Sequence, residues 1–477
     1  MLSLIILIFF ISKIKTNKTR WALEIFTTGA RSPNIPLKNN KDYFNHEWED
    51  GSNELTGVGI RQHFLVGYRN RLRYTEQNNL INSNYDPREV YLVSTDTNCT
   101  LMSANAQVQG LFFPGTSNLL NKNQSDIALP PVYSKSYQDE KIKLDNDSYT
   151  PLPNKMNVIP IHSFFYNDHY MYLQDENICK GNSIYYKKNK ERDEVTNYLE
   201  YMKNKYNENL KKYYFNEKKD DELLQNYDFA LNIFDNIISL YYEGAEELET
   251  IAKNLNVNLT DLIKDALGFL NLTLIGNGID NDKVIANYSM APVFNQLLLW
   301  LNSKIEKDIN NEKDYKGYDL PSFVMYSVDK DICGSFMAFL KYIFGAEINY
   351  PKFASNLYLE LVRNNESETV KKEDYIIEYY FNDDYIMSIP FTEFETKIKN
   401  NLAKMEDVDI FCGFAKTEVK DTSKSFLVVD IVLGVISLIL IILIFFTIFK
   451  KIKVNETNSK ENQEKSNNIN TLNTLNV

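Results

Sequence analysis

Histidine and cysteine, two side chains that often serve as nucleophiles or metal ligands, are scarce in this sequence. The chain of 477 residues contains four of each. No acidic cluster is spaced to hold a metal ion in their place. We therefore expect neither a metal nor a cofactor. Chemistry that needs an imidazole is limited to His46, His63, His162 and His169.

Concentrated positive charge is also lacking. Acidic residues outnumber basic residues by 64 to 52, and the basic residues are dispersed along the chain. A protein that binds nucleic acid usually gathers its basic residues into a patch or stripe. We therefore expect no nucleic acid among the partners of this chain.

An apolar segment stands at the N-terminus. Residues 1–12, MLSLIILIFFIS, are too short to span a bilayer comfortably and are typical of the apolar part of a signal peptide. We assign residues 1–16 to this signal. No small-residue cleavage motif follows, so the cleavage point stays open and an uncleaved anchor is the alternative.

A longer apolar segment lies near the C-terminus. Residues 431–449 contain no charged residue and, extended back to 426, are long enough to cross a membrane. A buried core helix is the alternative interpretation. Lysines follow at once, which places residues 450–477 in the cytoplasm as a tail that we expect to be disordered. The sequence thus predicts a single-pass type I membrane protein whose ectodomain is extracellular or lies in a secretory or endolysosomal lumen.

Glycosylation sequons agree with such a compartment, although each one is weak evidence in an Asn-rich chain. The four cysteines form an even set, which allows three disulfide connectivities. The candidate glycosylation sites are Asn123, Asn146, Asn258, Asn271, Asn287 and Asn365.

Strand and helix patterns alternate on both sides of a charged, Tyr-rich helical region. Predicted strands cover residues 21–27, 89–94, 157–165, 322–328, 356–363 and 375–381. Predicted helices cover residues 56–74, 97–113, 291–305 and 335–344. The helical region predicts a cap over about residues 182–290. We expect an α/β fold with a doubly wound, mixed but mainly parallel sheet, an inserted helical cap and one C-terminal transmembrane helix.

Four blocks, in this order, resemble motifs of the histidine acid phosphatase family, which has a phosphoglycerate mutase-like fold. TTGARSPNIP (residues 27–36) stands where the family has Arg-His-Gly-x-Arg-x-Pro. ELTGVGIRQHFLVGYRNRLRY (54–74) is similar to a Leu-Thr-x-x-Gly-x-x-Gln helix that ends in Arg-x-Arg-Tyr. EVYLVSTDTNCTLMSANAQVQGLFFP (89–114) is similar to an Arg-Ser-Thr-Asp-x-x-Arg-Thr-x-x-Ser-Ala block. FVMYSVDKDICGSF (323–336) stands at the family's Tyr-Ser-x-His-Asp. The resemblance covers about residues 20–415.

The resemblance implies a demanding reaction. Arginines neutralise and orient the phosphate, a neutral histidine attacks phosphorus, and a carboxylic acid protonates the leaving alcohol. In this chain the first arginine and the nucleophilic histidine correspond to Thr27 and Thr28. The turn glycine and the second arginine are retained as Gly29 and Arg31.

The later blocks have also lost charged positions. Val93 stands at the arginine before Ser-Thr-Asp, and Cys99 stands at the second arginine of that block. The family's His-Asp pair corresponds to Asp329-Lys330. Arg31 would then be the remnant of the phosphate site. Asp329 could serve as a carboxylate nucleophile, but such sites usually recruit a metal ion.

These substitutions predict a membrane-anchored pseudophosphatase with a binding or structural role. The alternative is an active acid phosphatase that hydrolyses phosphomonoesters in the lumen or at the cell surface with unconventional residues. A further alternative is a regulator that associates with an active paralogue. The sequence names no ligand or protein partner and leaves a dimer open.

The resemblance also implies specific contacts. The counterparts of Arg31 and Asp329 face one phosphate, so the two side chains either form an ion pair or face solvent in an eroded cleft. Family members pair cysteines at places that correspond to Cys179 and Cys412, which predicts that disulfide. Cys99 and Cys333 either remain free or form a second disulfide, which we favour.

Overall fold

The structure is a computed structural model. It describes residues 18–37, 46–49, 51–115, 119–130, 135–147, 149–163, 178–214, 226–273, 287–311, 320–346, 350–364 and 369–414. The chain separates into two compact units, residues 1–413 and 414–477, and every element named below belongs to the first. The predicted signal peptide, the transmembrane segment 426–449 and the tail lie outside the described residues. Within the described part, no helix is both long and apolar enough to cross a membrane.

A mixed sheet forms the centre of the first unit. Its seven strands in the described part are β1 (Lys18–Thr27), β2 (Val90–Ser94), β3 (His162–Ser163), β4 (Phe323–Val328), β5 (Asn356–Arg363), β6 (Tyr375–Phe381) and β7 (Asp384–Pro390). Their order is β3-β2-β4-β1-β5-β6-β7. The first four strands in this order are parallel, and the next three are joined to them by antiparallel pairings. Five strands therefore run in one direction, so the predicted mixed and mainly parallel sheet is confirmed.

Side chains of β1 alternate between two cores, because successive residues of a strand point to opposite faces. Trp21, Leu23 and Ile25 pack into one hydrophobic cluster, and Ala22 and Phe26 pack into another. Both faces of the sheet are therefore covered, as a doubly wound fold requires.

Helices provide these covers and a separate cap. Their bounds are α1 (Gly57–Asn70), α2 (Asn98–Leu111), α3 (Lys122–Ile127), α4 (Lys135–Asn146), α5 (Lys180–Lys190), α6 (Asp193–Tyr214), α7 (Tyr227–Glu243), α8 (Glu247–Asn254), α9 (Leu259–Thr273), α10 (Ala291–Ile309), α11 (Lys330–Phe344), α12 (Phe391–Asn401) and α13 (Met405–Cys412). Helix α1 continues as a π-helix over Arg71–Gln77. Helices α6 to α9 build a hydrophobic cluster of their own, which reaches Ala30 and Phe353 beside the sheet.

Three elements differ from the sequence prediction. The strand predicted over residues 157–165 is a strand only at His162–Ser163 in the described part, since Pro160 has no amide hydrogen to donate to a sheet. Strand β7 has no counterpart in the prediction. Its sequence, DYIMSIP, does not alternate regularly between apolar and polar residues, because the strand lies at a half-exposed edge of the sheet. Helix α11 begins at Lys330 rather than at residue 335. Its first turn, Lys-Asp-Ile-Cys-Gly, is polar, and Asp329 is the N-cap residue, so the helix start looks like a loop in sequence.

The cysteines give one confirmation and one correction. Cys179 and Cys412 form the predicted disulfide, which ties the end of α13 to the residue before α5. The second disulfide that we favoured is wrong, because Cys99 and Cys333 are free and buried. The Cys333 thiol lies 3.8 Å from the sulfur of Met337, whereas the Cys99 thiol faces Asn53.

Candidate active-site pocket

The loop after β1 is held by direct backbone contact with helix α1. A Cβ atom on Gly29 would lie 2.6 Å from the carbonyl oxygen of Gly59, and a Cβ atom on Gly59 would lie 2.2 Å from the carbonyl oxygen of Ala30. No side chain fits at either position. The Ala30 amide donates a hydrogen bond to Oε1 of Gln62, and the Gly29 amide donates to Oγ of Ser103. Residues of the second and third sequence blocks (54–74 and 89–114) thus fix the path of the loop in the first block (27–36).

Helices α1 and α2 also cross in backbone contact. A Cβ atom on Gly67 would lie 1.8 Å from the carbonyl oxygen of Gln107, and one on Gly110 would lie 2.0 Å from that of Phe64. These distances are far shorter than any atomic contact. The two glycines therefore set the separation of the helices beneath the loop.

The two threonines at the end of β1 are buried. The Thr27 hydroxyl donates a hydrogen bond to the carbonyl oxygen of Lys352 at 2.8 Å. This side chain is therefore bound to the backbone of the segment before β5. Thr28 is 3% exposed, and its carbonyl oxygen accepts a hydrogen bond from the Ala354 amide. No imidazole or carboxylate hydrogen-bonds to the hydroxyl of Thr28 in the described part of the chain.

Arg31 is bound by a carboxylate from the cap. Its two terminal nitrogens donate to the two carboxylate oxygens of Asp235 on α7, at 3.1 and 3.3 Å. Both side chains are almost fully buried. The backbone amide of Asn34 donates to Oδ2 of Asp235 at 2.8 Å. Asp235 therefore engages both terminal nitrogens of Arg31.

The next cap residue binds the same loop. Oδ1 of Asn236 accepts from the Leu37 amide, and its Nδ2 donates to the carbonyl oxygen of Ile35. Together, Asp235 and Asn236 join α7 to residues 31–37. The loop is thus clamped between the glycine contacts of α1 and two polar side chains of the cap.

Neither of the two arrangements expected for Arg31 and Asp329 is found in the described part of the chain. Arg31 is buried rather than facing solvent, and it forms its ion pair with Asp235 instead of Asp329. Asp329 is close enough for its charge to influence Arg31. The Asp329 carboxylate accepts a hydrogen bond from the hydroxyl of Thr95, at 3.3 Å. Burial raises the pKa of the Asp329 carboxyl, and the Thr95 hydrogen bond and the Arg31 charge only partly oppose this rise.

Lys330 lies beside Arg31 on an aromatic surface. Its Nζ atom is 3.7 Å from the ring centre of Phe353 and 5.7 Å from that of Tyr350. The Arg31 guanidinium lies 5.6 Å from the same Phe353 ring. Burial, followed by the charge of Arg31, lowers the pKa of the Lys330 amine to about 7.

The third block contributes apolar and sulfur-bearing side chains instead of arginines. Val93 is 1% exposed and belongs to the sheet core. The Cys99 thiol lies 3.5 Å from the Thr97 hydroxyl, and burial raises its pKa. Neither residue supplies a positive charge to the pocket.

His63 lies beside the backbone of Thr27, but it faces inward. It is fully buried, and its Nδ1 lies 2.9 Å from Oε1 of Gln107. Its Nε2 lies beside the Thr27 backbone without a hydrogen bond of normal geometry. Burial lowers the pKa of His63 to about 4. His46 and His162 stand elsewhere, beside Glu247 and Tyr91, and His169 lies outside the described residues.

A buried carboxylate lies beneath the loop. Glu24 of β1 accepts hydrogen bonds from Asn70, Gln107 and Tyr358, and it is completely buried. Burial raises the pKa of Glu24 to about 7, although its three donors favour the charged form. Gln107 therefore connects Glu24 to His63.

The candidate glycosylation sites differ in exposure. Asn123, Asn146 and Asn258 are exposed, whereas Asn271 and Asn287 are half-buried. Asn365 lies outside the described residues. These exposures are compatible with modification at the first three positions, and modification itself stays a prediction.

Two carboxylates of this site were missed by the sequence analysis. Asp235 and Glu24 are each a carboxylate inside an apolar run, NIFDNII and WALEIF respectively. A charge in the middle of an apolar run is the signal that could have found them, because such a charge needs a buried partner. In the described part of the chain, no group of three or more His, Cys, Asp or Glu residues is placed to hold a metal ion.

Comparison with protein families agrees with the geometry. A model of the histidine phosphatase superfamily (branch 2) matches residues 11–382, which is more than half of the chain. The chain belongs to this family.

Curated relatives within the histidine phosphatase superfamily include acid phosphatases. Human lysosomal acid phosphatase is 34% identical over 116 residues, which cover 24% of this chain and 26% of the relative. Bovine prostatic acid phosphatase is 32% identical over 129 residues, which cover 25% of this chain and 31% of the relative. The matched segments thus span only about a quarter to a third of these relatives.

Among solved structures, a Hafnia alvei phytase in complex with myo-inositol hexakis sulphate covers 81% of this chain and 97% of its own, with a TM-score of 0.50 and 11% identity. At this identity the likeness concerns the fold alone. The histidine phosphatase fold therefore extends over most of the chain.

Proposed function

We propose that this member of the histidine phosphatase superfamily is a pseudophosphatase with a binding or structural role. The observation that carries the proposal is the bidentate pair between Arg31 and Asp235. Arg31 is the phosphate-site arginine that our motif comparison retains, and the pair gives it an internal carboxylate as its ligand.

A phosphate that approached Arg31 would meet unfavourable charge. Asp235 is already bound there, and Asp329 lies nearby. Displacing Asp235 would leave its carboxylate buried without its partner, which costs about 3–5 kcal/mol. Lys330 is the other cation at this place, and its lowered pKa makes it a weak source of positive charge above pH 7.

The pocket also lacks an activated nucleophile. A threonine hydroxyl needs an adjacent base to attack phosphorus, and none hydrogen-bonds to Thr28 in the described part. His63 cannot replace the family histidine in this geometry, because it is buried and its Nδ1 is engaged by Gln107. Loss of one electrostatic donor alone removes about 3–4 kcal/mol of transition-state stabilisation, so several losses together predict no measurable turnover.

The rival function, an active acid phosphatase, has two observations in its favour. Asp329 has a raised pKa and is near Arg31, which suits a general acid. The named acid phosphatases among the relatives point the same way. An acid alone does not form a phosphoenzyme, however, so we place this function second.

A turnover assay separates the two functions. The purified chain is incubated with p-nitrophenyl phosphate from pH 4 to pH 8, beside the variants Arg31→Ala and Asp329→Ala. We expect no turnover. Any residual turnover would come from a contaminant and should therefore be the same in both variants as in the wild type. Turnover that both substitutions abolish would overthrow the proposal.

The cellular setting is part of the same proposal. The Cys179–Cys412 disulfide and the lysosomal relatives support an oxidising lumen or the cell surface. The apolar segment 426–449 and the lysines after it support a type I anchor. Release of the chain from membranes by alkaline carbonate, without detergent, would contradict the anchor.

A further inference from the structure

A cavity lies between the π-helix that continues α1 and the strands β5 and β6. Its volume of about 470 Å³ falls within the range of roughly 300–1,000 Å³ that is usual for small-molecule sites. The π-helix contributes Leu72, Arg73 and Gln77 to the wall. Such helices are rare in proteins and occur frequently at functional sites. The cavity shares no lining residue with the pocket around Arg31, so it is a separate candidate binding site.

Arg73 presents unused hydrogen-bond donors at this cavity. Its Nε lies 2.6 Å from Oε1 of Glu360, and its Cζ lies 4.1 Å from the ring centre of Tyr380. These two contacts hold the guanidinium in place. Its terminal nitrogens donate no hydrogen bond to a described residue, and Nη1 lies 4.0 Å from Asp383, beyond hydrogen-bond distance. The side chain is 20% exposed. Its two terminal nitrogens therefore form a preorganised fork for a carboxylate.

Glu378 of β6 is a carboxylate without a cationic partner. It accepts a hydrogen bond from the Tyr380 hydroxyl at 2.7 Å, and within the described ranges no lysine or arginine forms an ion pair with it. The other two carboxylates that line the cavity each have an arginine at 2.6 Å, Glu360 with Arg73 and Asp383 with Arg69. Glu378 is half-buried, so water hydrates its charge only in part. An ammonium group of a ligand would neutralise this charge.

The ring of Tyr380 connects the two groups. Arg73 lies over its face, and Glu378 accepts a hydrogen bond from its hydroxyl. Because one phenol ring contacts both, a single small molecule reaches both. A ligand with only a negative charge would face the three carboxylates of the cavity, and a ligand with only a positive charge would face its two arginines. A zwitterion satisfies the fork and the carboxylate together.

We propose that this cavity binds a free amino acid with an apolar side chain, whose carboxylate accepts hydrogen bonds from Arg73 and whose ammonium group donates to Glu378. The side chain of the ligand lies against Leu72 and Val362, which are the apolar residues of the wall. This inference goes beyond the proposed function of the chain and does not rest on it, because the cavity is separate from the pocket around Arg31.

Titration calorimetry on the whole chain with three matched compounds tests the proposal. Leucine carries both charges, 4-methylpentanoate lacks the ammonium group, and 3-methylbutylamine lacks the carboxylate. We expect leucine to bind at least about tenfold more tightly than either of the others, because each of them leaves one charged group of the cavity unpaired. Equal affinities for the three compounds, or no saturable binding of leucine up to about 10 mM, would overturn the proposal.

Two variants and two controls locate the binding. Glu378→Gln should weaken leucine binding at least about tenfold, and it should bind 4-methylpentanoate no more weakly than the wild type does. Arg73→Lys keeps a cation beside Glu360 but lacks the fork, so it should weaken leucine binding as well. Glu373→Gln and Arg61→Lys change exposed side chains outside the cavity and should bind leucine as the wild type does. Unfolding temperatures check that each variant is folded. Unchanged leucine binding by folded Glu378→Gln would overturn the proposal.

Discussion

The loop after β1 has two sides that are built by different means. On the side of α1 and α2, backbone atoms meet backbone atoms at Gly29, Gly59, Gly67 and Gly110. On the side of the cap, the contacts are made by side chains such as Arg31 with Asp235. A backbone contact tolerates no added atom, whereas a side-chain contact can be exchanged for another of similar charge and shape. The first side is a frame for the loop, and the second is a pocket whose chemistry can change while the fold stays.

The largest effect should come from breaking the Arg31–Asp235 pair on one side only. Arg31→Ala leaves the Asp235 carboxylate buried without its guanidinium, which should lower the free energy of unfolding by about 3–5 kcal/mol. The double variant Arg31→Met with Asp235→Leu removes both charges and should recover most of this loss. Urea denaturation measures both. A single variant as stable as the wild type would mean that the pair does not hold the cap.

The stability of the frame, the backbone contacts made by α1 and α2, should be almost as sensitive to one added methyl group. Gly67→Ala places a Cβ atom on the carbonyl of Gln107, so α1 and α2 must move apart, at a cost of about 3 kcal/mol or more. Gly57→Ala, at the start of the same helix, has no atom within 4 Å of the new Cβ atom and is the matched control. We expect the control to unfold at the wild-type denaturant concentration or above it. Equal effects of the two substitutions would remove the distinction between frame and pocket.

A third effect concerns pH. The folded pKa of Glu24 is raised, so this group stabilises the fold below pH 4.5 and the contribution is lost as the pH rises through about 7. The folded pKa of His63 is lowered, so its contribution is present above pH 6.5 and is lost as the pH falls through about 4. Each contribution to the free energy of unfolding amounts to about 3 kcal/mol. The contribution of Glu24 decreases as the pH rises, whereas the contribution of His63 increases.

As the pH rises from 4.5 to 8, the free energy of unfolding of Glu24→Gln should therefore increase by about 3 kcal/mol relative to that of the wild type. His63→Gln should show the opposite trend, with its relative stability greatest near pH 4. Unfolding free energies at several pH values test both. Parallel stability curves for wild type and Glu24→Gln would show that Glu24 ionises normally in the folded state.

The sequence predicted the frame better than the pocket. Strand β1 and helices α1 and α2 follow from local patterns in the sequence, and the Cys179–Cys412 disulfide follows from the family resemblance. The partner of Arg31 does not follow, because Asp235 is 204 residues away and arrives through the packing of the cap. An ion pair with Asp329 was one of two arrangements that we expected for Arg31, and the motif comparison includes no cap residue that could have been the partner. Ion pairs across a fold depend on tertiary geometry, which a local pattern does not contain.

Titration calorimetry with inorganic phosphate tests the central claim most directly, since the claim is that Asp235 occupies the anion site of Arg31. We predict no saturable binding by the wild-type chain tighter than about 1 mM, which corresponds to roughly 4 kcal/mol. Asp235→Asn should gain phosphate binding, and the gain should disappear when Arg31→Ala is added. Saturable phosphate binding by the wild type that Arg31→Ala abolishes would contradict the account.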